Sequence, residues 1–348
     1  MIETNNAPVI PILTSKDFAP DQDVKWCPGC GDYSILKQVQ TIFPELGFKK
    51  EDYVFVSGIG CSSRFTYYMD TYGIHSIHGR ATAIASGLKA SRPELSVWVV
   101  TGDGDALSIG GNHFIHLLRK NFDIKILLFN NQIYGLTKGQ YSPTSETGIV
   151  TKSTPYGSIE EPFNTAELAL GAKGSFVART LDRDPKHMQA VLRQAHKHKG
   201  ASFVEIYQNC PVFNDGAFFV FSEKETKKEE ALHVEHDKPL VFGANSDKGI
   251  KLDGFQPKVV DLSNGSNSVN DLWIHDEKDK VKAGILAGFT DLNHYTEYHL
   301  PRPFGVLYSV DRPTYEVQMA NQIETVMQKK GKTPLNEILS GDKTWEIA

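Results

Sequence analysis

Two short polar motifs follow consecutive predicted strands of this sequence. Gly102-Asp103-Gly104-Asp105 comes after one apolar run, and Asn130-Asn131 comes after the next. In a βαβ unit such positions meet at one edge of the sheet, and magnesium prefers hard oxygen ligands there while it keeps positions for substrate phosphates. We therefore expect Asp103, Asn131 and the Ile133 carbonyl to bind Mg²⁺, with the glycines admitting a diphosphate to backbone amides. A tight strand-to-helix turn with an N-capping Asp is the alternative for the first motif alone.

All four cysteines of the chain also lie near predicted turns and strand ends. Cys27 and Cys30 share a CxxC turn, whereas Cys61 and Cys210 each follow a predicted strand. Four thiolates are the usual complement of one 4Fe-4S cluster. Structural zinc usually takes two closely spaced pairs, and a redox dithiol usually opens a thioredoxin-like helix. The pattern favours the cluster, and zinc, a dithiol or unligated cysteines stay as alternatives.

The elements that must position these motifs alternate between strands and helices. We predict strands at 53–56, 96–100, 124–129, 175–178 and 202–207, and helices at 32–46, 81–90, around 114–118, 165–172 and 185–199. Asp184 is the predicted N-cap of the last helix, with Pro185 in its first turn. Apolar strands that alternate with helices indicate a doubly wound, mostly parallel α/β sheet, whose ligands bind at the carboxyl ends of the strands.

The composition of the 348-residue chain is typical of a globular protein. Its net charge of −5 argues against general nucleic-acid binding. No apolar run approaches the ~18 residues of a membrane span. Residues 1–20 lack the features of a signal peptide, so we expect a cytoplasmic protein that binds no membrane. We divide the chain into an extended arm (1–24), an α/β domain with the chemistry (25–221) and an irregular C-terminal extension (222–348) that wraps the core or contacts a partner. The charged stretch 222–237 predicts a solvated helix or loop.

Taken together, the motifs resemble the beta subunit of the 2-oxoacid:ferredoxin oxidoreductases, most closely the 2-oxoglutarate branch. The resemblance covers most of the chain. Its motifs are WCPGCGD at 26–32, GIGCS at 58–62, HGRA at 78–81, GDGD at 102–105, NQIYGLTKGQYSP at 131–143 and NCPVFNDG at 209–216, with weaker echoes at 274–277 and 312–316. It implies the thiamine diphosphate-binding (PP-type) fold, with thiamine diphosphate, Mg²⁺ and one 4Fe-4S cluster as cofactors.

The resemblance also implies roles for individual residues. Those assigned to the cluster are Cys27, Cys30, Cys61 and Cys210, and those assigned to Mg²⁺ are Asp103, Asn131 and Ile133. Residues expected to contact thiamine diphosphate are Gly58, Ile59, Gly60, Cys61, His78, Gly102, Asp103, Gly104, Asp105, Asn131, Ile133, Tyr134, Gly135, Leu136 and Thr137. Expected catalytic residues are His78, Arg64 and Lys138, the last two as cations for the oxoacid. Some relatives carry Lys where Arg64 stands.

The reaction implied by the resemblance is oxidative decarboxylation of 2-oxoglutarate with coenzyme A to succinyl-CoA and CO₂, with electrons passed through the cluster to ferredoxin. In this family the Glu that activates thiamine belongs to an alpha subunit, and the sequence shows no second thiamine-type domain. We therefore expect activity only with an alpha subunit, in an (alpha-beta)2 assembly. The alternatives are pyruvate or another 2-oxoacid as substrate, a non-catalytic iron-sulfur or zinc scaffold, and a non-redox thiamine lyase.

Overall fold

The computed structural model describes residues 13–293, 299–342 and 344–345. Its strands are β1 Tyr53–Ser57, β2 Tyr72–His75, β3 Ser96–Gly102, β4 Ile124–Asn130, β5 Phe176–Leu181, β6 Ser202–Tyr207, β7 Ala231–Val234, β8 Val241–Phe242, β9 Lys248–Asp253, β10 Gln256–Asp261 and β11 Arg302–Ser309. Its α-helices are α1 Asp32–Ile42, α2 Ala81–Ser91, α3 Asp103–Leu107, α4 Gly111–Lys120, α5 Thr165–Gly171, α6 Pro185–Lys197, α7 Lys227–Glu230, α8 Lys280–Ala287, α9 Phe289–Leu292, α10 Tyr315–Lys330 and α11 Leu335–Ser340.

Within these residues, eight strands form the main sheet in the order β2-β1-β3-β4-β6-β5-β11-β7. The strands from β2 to β5 in this order are parallel, β11 runs antiparallel to β5, and β7 runs parallel to β11. A smaller antiparallel sheet has the order β10-β9-β8. Because the central strands are parallel, their carboxyl ends gather at one edge, which we call the carboxyl edge.

Successive residues of the central strands point to opposite faces of the main sheet, and both faces are covered. Val97 and Val99 of β3 pack into a cluster with apolar residues of α2, α4, α5 and α8. Trp98 and Val100 pack into a second cluster with α1 and α6. The doubly wound, mostly parallel α/β architecture predicted from the sequence is thus confirmed.

Most element boundaries agree with the sequence pattern within a few residues. The predicted helix at 32–46 ends as an α-helix at Ile42 and continues as a 3-10 turn, Phe43–Glu45, because Pro44 has no amide to donate. The strand predicted at 175–178 extends to Leu181. Asp184 caps α6, since its carboxylate accepts a hydrogen bond from the His187 amide at 3.1 Å.

The C-terminal segment is less irregular than the sequence suggested, because two of its strands complete the main sheet. The pattern of β11 is hidden by Pro303 and by a bulge between Val306 and Tyr308. Gly305, just before the bulge, has φ +128, and an added Cβ would lie 2.4 Å from the Val234 carbonyl oxygen. The stretch 222–237 is not simply solvated, since it contains β7 with three buried apolar side chains. The domain boundary at 221 therefore stays a proposal.

The described part of the N-terminal arm is anchored to the core, contrary to the simple extended arm that was expected. Its 3-10 turn, Ser15–Phe18, places the buried Phe18 ring edge-on to Phe43 and Tyr53, with ring centroids 5.5 and 5.8 Å apart. Residues 1–12 of the arm lie outside the described residues. Across the described ranges, none of the helices is both long and apolar enough to cross a membrane.

Candidate active site at the carboxyl edge

A cavity opens at the carboxyl ends of β1, β3 and β4. Each residue that the family resemblance assigned to thiamine diphosphate, except Gly58, lies in the cavity wall. The full set is Ile59, Gly60, Cys61, Ser62, His78, Gly102, Asp103, Gly104, Asp105, Phe129, Asn131, Ile133, Tyr134, Gly135, Leu136 and Thr137. The fold therefore brings the separate motifs together at one place.

Asp103 is a buried carboxylate at the start of α3, held by hydroxyl groups from the loop after β4. Ser142 Oγ and Thr144 Oγ1 lie 2.5 and 2.6 Å from Asp103 Oδ2 and donate to it. Burial raises the pKa of Asp103 despite these bonds. A nearby cation would stabilise its charged form, so this environment fits a magnesium ligand.

The Asn131 side chain has a fixed orientation beside Asp103. Its Nδ2 donates to Gln208 Oε1 at 2.8 Å, and its Oδ1 accepts from the Ile133 amide at 3.1 Å. Gln132, between them, adopts φ +56, which turns the chain sharply after β4. Asn131 and Ile133 thus meet at the same cavity wall as Asp103, as the sequence predicted.

Two glycines of the cavity wall allow close approach for different reasons. A Cβ on Gly104 would lie 2.1 Å from the Tyr134 ring, so that only glycine lets the tyrosine pack against this turn. Gly60, with φ +145, has no atom within 4 Å of the position that a Cβ would take, so a side chain there would occupy open space at the cavity. This cradle of small residues fits a diphosphate that approaches the backbone.

Asp105 joins three segments of the cavity wall. Its Oδ1 accepts from the amides of Ile59 and Gly79 at 3.3 and 2.9 Å and lies 3.1 Å from His78 Nδ1, while its Oδ2 accepts from Thr101 Oγ1 at 2.9 Å. A Cβ on Gly58 would clash with the same carboxylate. Gly58 therefore leaves room for the Asp105 carboxylate, which in turn holds the His78 ring at the cavity.

The two other residues expected to be catalytic lie apart from this wall in the described part of the chain. Arg64 Nη1 donates to the Lys25 carbonyl at 3.3 Å, with its guanidinium carbon 6.0 Å from the Tyr68 ring centroid. Lys138 is exposed in a left-handed turn with φ +75. Their roles toward the oxoacid stay a prediction.

The four cysteines, which form no disulfide, converge beside the cavity. The Gly31 amide donates to the Asn209 carbonyl at 3.1 Å, which ties the CxxC turn to the residue before Cys210. The Cβ position of Gly135 lies 3.6 Å from Cys210 Sγ and 3.7 Å from Cys61 Sγ. One glycine of the cofactor wall is thus also the neighbour of two thiols.

The surroundings of Cys30 and Cys61 oppose the ionisation of their thiols. Burial raises the pKa of Cys61 to about 11 and raises the pKa of Cys30 further, and the Asp32 carboxylate adds to both shifts. Thiolates here require positive charge nearby. In the described ranges, no three His, Cys, Asp or Glu side chains are grouped closely enough to hold a single metal ion.

Several residues of the site were not assigned a role from the sequence. Ser62 and Phe129 line the cavity, and the Ser142 and Thr144 hydroxyls hold Asp103. Gln208 lies between Asn131 and Cys30. A Ser or Thr in a long loop and a Gln after a strand carry no distinctive pattern, so only the neighbouring motifs pointed to these regions.

The chain is similar to known proteins over most of its length. Residues 58–206 match the family described as thiamine pyrophosphate enzyme, C-terminal TPP binding domain. The chain is 50% identical over 338 residues to the 2-oxoglutarate oxidoreductase subunit KorB of Mycobacterium tuberculosis, covering 95% of this chain and 88% of that protein. It is 45% identical over 187 residues to the 2-oxoglutarate synthase subunit KorB of Archaeoglobus fulgidus, covering 53% of this chain and 69% of that protein.

A solved structure is similar over nearly the whole chain. It is a 2-oxoglutarate:ferredoxin oxidoreductase from Magnetococcus marinus with 2-oxoglutarate, coenzyme A and succinyl-CoA bound. The TM-score is 0.76 at 31% sequence identity, and the similarity covers 97% of this chain and 98% of the solved one. The similarity therefore extends beyond the cavity to the C-terminal segment.

Proposed function

Because this chain belongs to the KorB family of 2-oxoglutarate oxidoreductase beta subunits, we propose that, with an alpha subunit, it converts 2-oxoglutarate, coenzyme A and oxidised ferredoxin to succinyl-CoA, CO₂ and reduced ferredoxin. The proposed cofactors are thiamine diphosphate with Mg²⁺ in the carboxyl-edge cavity and one 4Fe-4S cluster on the four cysteines. The chemistry is that of an oxidoreductase, and the proposed location is the cytoplasm.

The observation that carries the proposal is the wall shared by the cavity and the cysteines. Cys61 lines the cavity itself, and Gly135, also in the cavity wall, is close enough that an added Cβ would lie 3.7 Å from Cys61 Sγ and 3.6 Å from Cys210 Sγ. A thiamine enzyme that only decarboxylates needs no such neighbour. An enzyme that must remove electrons one at a time needs an acceptor at this position.

The residues of the cavity have separable tasks in this proposal. Thiamine diphosphate, when bound, supplies the nucleophilic carbon and holds the electrons left by decarboxylation. Asp103, Asn131 and the Ile133 carbonyl would hold its Mg²⁺. His78 Nδ1 faces the Asp105 carboxylate, which favours the tautomer that presents Nε2 as an acceptor for a proton at the cavity. We therefore assign proton transfer near the reacting atoms to His78.

A partner subunit is supported by the surface around the cavity. Ile77, Ile109 and Leu136 are large apolar side chains that are more than half exposed, and they flank His78, the turn after α3 and the cavity wall. A covering protein would bury them and exclude water from the cavity. We assign this cover to the alpha subunit, which would also supply the activating Glu, and we propose an (alpha-beta)2 assembly.

Substrate choice requires a cation for the distal carboxylate of 2-oxoglutarate. Arg64 and Lys138 remain the proposed candidates in this chain, since Arg64 lies two residues after Ser62 and Lys138 directly follows Thr137 in the cavity wall. Arg64 would pair better with a carboxylate because its guanidinium can donate two parallel hydrogen bonds. Its present bond to the Lys25 carbonyl is weak enough at 3.3 Å to be exchanged.

The proposal is tested with Cys210→Ser in the complex purified anaerobically with its alpha subunit. We expect this variant to retain thiamine but to lose cluster iron and 2-oxoglutarate-dependent viologen reduction. Thiamine content of the same preparation is the control for folding. Zinc in place of iron in the unaltered complex would favour the zinc scaffold, and unchanged viologen reduction by the variant would refute the cluster assignment.

A further inference from the structure

Gln208 is a buried side chain directly after β6, between the proposed magnesium site and the proposed cluster. It is only 2% exposed, and its backbone amide donates to the Asn130 carbonyl at 2.9 Å. Its side-chain Oε1 accepts from Asn131 Nδ2 at 2.8 Å, and its Nε2 lies 3.2 Å from Cys30 Sγ. One amide group thus touches a residue of each site.

The orientation of the Gln208 amide is fixed by its surroundings. Nε2 lies 2.5 Å from the Asn209 carbonyl oxygen, which can only accept, so the nitrogen must lie on that side. Oε1 then faces Asn131 and can only accept from its Nδ2. As a result, Asn131 Oδ1 is turned away from Gln208 and becomes the oxygen available at the cavity.

We infer that Gln208 is a positioning residue that couples the two cofactor sites through this chain of hydrogen bonds. Toward the cavity, it orients the Asn131 oxygen that would bind Mg²⁺, in the way that outer-sphere partners orient metal ligands. Toward the cysteines, its N–H donates to Cys30 Sγ. Hydrogen bonds to cluster sulfurs stabilise the more negative, reduced state and raise the reduction potential.

The same series of hydrogen bonds predicts how cofactor binding at the cavity changes the cluster. A cation on Asn131 Oδ1 would draw electron density from the amide and make its Nδ2–H a stronger donor to Gln208. Polarisation passes along hydrogen-bonded chains in a low-dielectric interior, so Gln208 would in turn donate more strongly to Cys30. Cofactor binding would therefore raise the reduction potential of the cluster and prepare it to accept electrons.

This inference rests on the proposed function, and its test uses readouts other than turnover. Gln208→Met removes the hydrogen bonds to Asn131, Cys30 and the Asn209 carbonyl at similar volume, whereas Gln208→Glu keeps an oxygen that can accept from Asn131 but adds negative charge near Cys30. Gln38→Met is the matched control, because Gln38 is a buried glutamine that bonds to the Ser34 carbonyl and to Gln189 on α1 and α6. Each is measured in the anaerobic alpha-beta complex.

The two measurements are the cluster midpoint potential, by EPR-monitored titration, and the dissociation constant of Mg²⁺-thiamine diphosphate, by calorimetry. For Gln208→Met we expect a more negative potential, roughly tenfold weaker cofactor binding, and loss of the cofactor-dependent rise in potential. For Gln208→Glu we expect a still more negative potential with cofactor binding closer to the unaltered complex. The control should match the unaltered complex in both.

The outcomes separate the inference from the proposed function. An unaltered complex that contains neither cluster nor bound thiamine would overturn both. An unaltered complex with both cofactors, whose potential and cofactor affinity are unchanged in Gln208→Met, would overturn the role of Gln208 alone. Where Gln208→Met fails to retain its cluster, Gln208→Glu supplies the comparison, and a potential equal to that of the unaltered complex would contradict the inference.

Discussion

Buried polar side chains gather at both edges of the main sheet, but only the carboxyl edge borders the candidate active-site cavity. There, Thr144 Oγ1 lies within hydrogen-bonding distance of Asp103 Oδ2 and Asn130 Oδ1, at 2.6 and 2.9 Å, and Asn130 Nδ2 donates to Glu205 at 2.8 Å. The Asp103 carboxylate, at one end of this series of hydrogen bonds, lies in the cavity wall.

The opposite edge, at the amino ends of the strands, holds a network of similar composition. Lys125 Nζ donates to Asp123 Oδ1 and to the His198 carbonyl, both at 2.6 Å. Asn121, in a left-handed conformation with φ +63, accepts through Oδ1 from Ser175 Oγ at 2.5 Å. These groups satisfy one another and fix the turns before β4, β5 and β6.

The difference shows that a buried polar network does not by itself mark an active site. The amino-edge network closes on itself, so we expect it to contribute stability. The carboxyl-edge network holds acceptor oxygens at the wall of a cavity. Burial there raises the pKa of Asp103, and a bound cation would stabilise its ionised carboxylate. Substitutions at the two edges should therefore separate ligand binding from folding.

The largest expected effect is that of Asp103→Ala on cofactor binding. Loss of a charged ligand should weaken Mg²⁺-thiamine diphosphate binding by more than about 100-fold, since outer-sphere partners alone are worth roughly 10- to 100-fold. The stability of the cofactor-free complex should be unchanged or higher, because a buried carboxylate is removed. Calorimetry and urea unfolding measure the two quantities, with the exposed Asp253→Ala as control. Unchanged cofactor binding by Asp103→Ala would contradict the assignment of the carboxyl edge to ligand binding.

The second largest effect is that of Lys125→Met at the amino edge, which should lower stability but leave cofactor binding unchanged. Removal of this ammonium leaves the partly buried Asp123 without its nearest cation, and breaking a fully buried ion pair costs about 3–5 kcal/mol. We expect the lower end of that range, because Lys89 and Lys199 lie 3.9 and 3.8 Å from Asp123 Oδ2. Urea unfolding should show the loss, while cofactor affinity of the folded complex stays constant. A large loss of affinity with normal stability would reverse our assignment of the two edges.

The third effect is an acid sensitivity of the amino edge. Burial, with Lys125 nearby, lowers the pKa of His198 to about 4 from an ordinary 6.5. The unfolded chain therefore binds a proton that the folded chain does not, and stability should fall as pH falls from about 6.5 to about 4. One histidine contributes at most about 1.4 kcal/mol per pH unit. His198→Gln should reduce this slope in urea unfolding, and an unchanged slope would show that His198 is not responsible.

The smallest effect is that of Thr144→Val at the carboxyl edge. The change removes one hydroxyl that orients Asp103, so we expect roughly tenfold weaker Mg²⁺-thiamine diphosphate binding by calorimetry. Thr147→Val is the matched control, because the Thr147 hydroxyl bonds to the Glu160 carbonyl on the exposed side of the same loop. Equal affinities in the two variants would mean that Thr144 does not prepare the site for its ligand.

The sequence predicts the parts of this molecule that depend on short-range patterns. The central strands, α6 with its Asp184 cap, and the cavity wall follow from apolar runs and from motifs at strand ends. The sequence pattern does not show β11, because Pro303 and the bulge between Val306 and Tyr308 interrupt its alternation. It also does not show that Thr144 reaches Asp103 or that Gln208 reaches Cys30, since those contacts depend on how long loops fold across the sheet edge.

The most direct test of the proposed activity is anaerobic, coenzyme A-dependent viologen reduction by this chain purified with its alpha subunit. The assay compares 2-oxoglutarate with pyruvate at equal concentrations. We predict strong reduction with 2-oxoglutarate and little with pyruvate. Equal or greater reduction with pyruvate would contradict the substrate assignment, and no reduction with either, in a complex that contains thiamine and iron, would contradict the proposed activity.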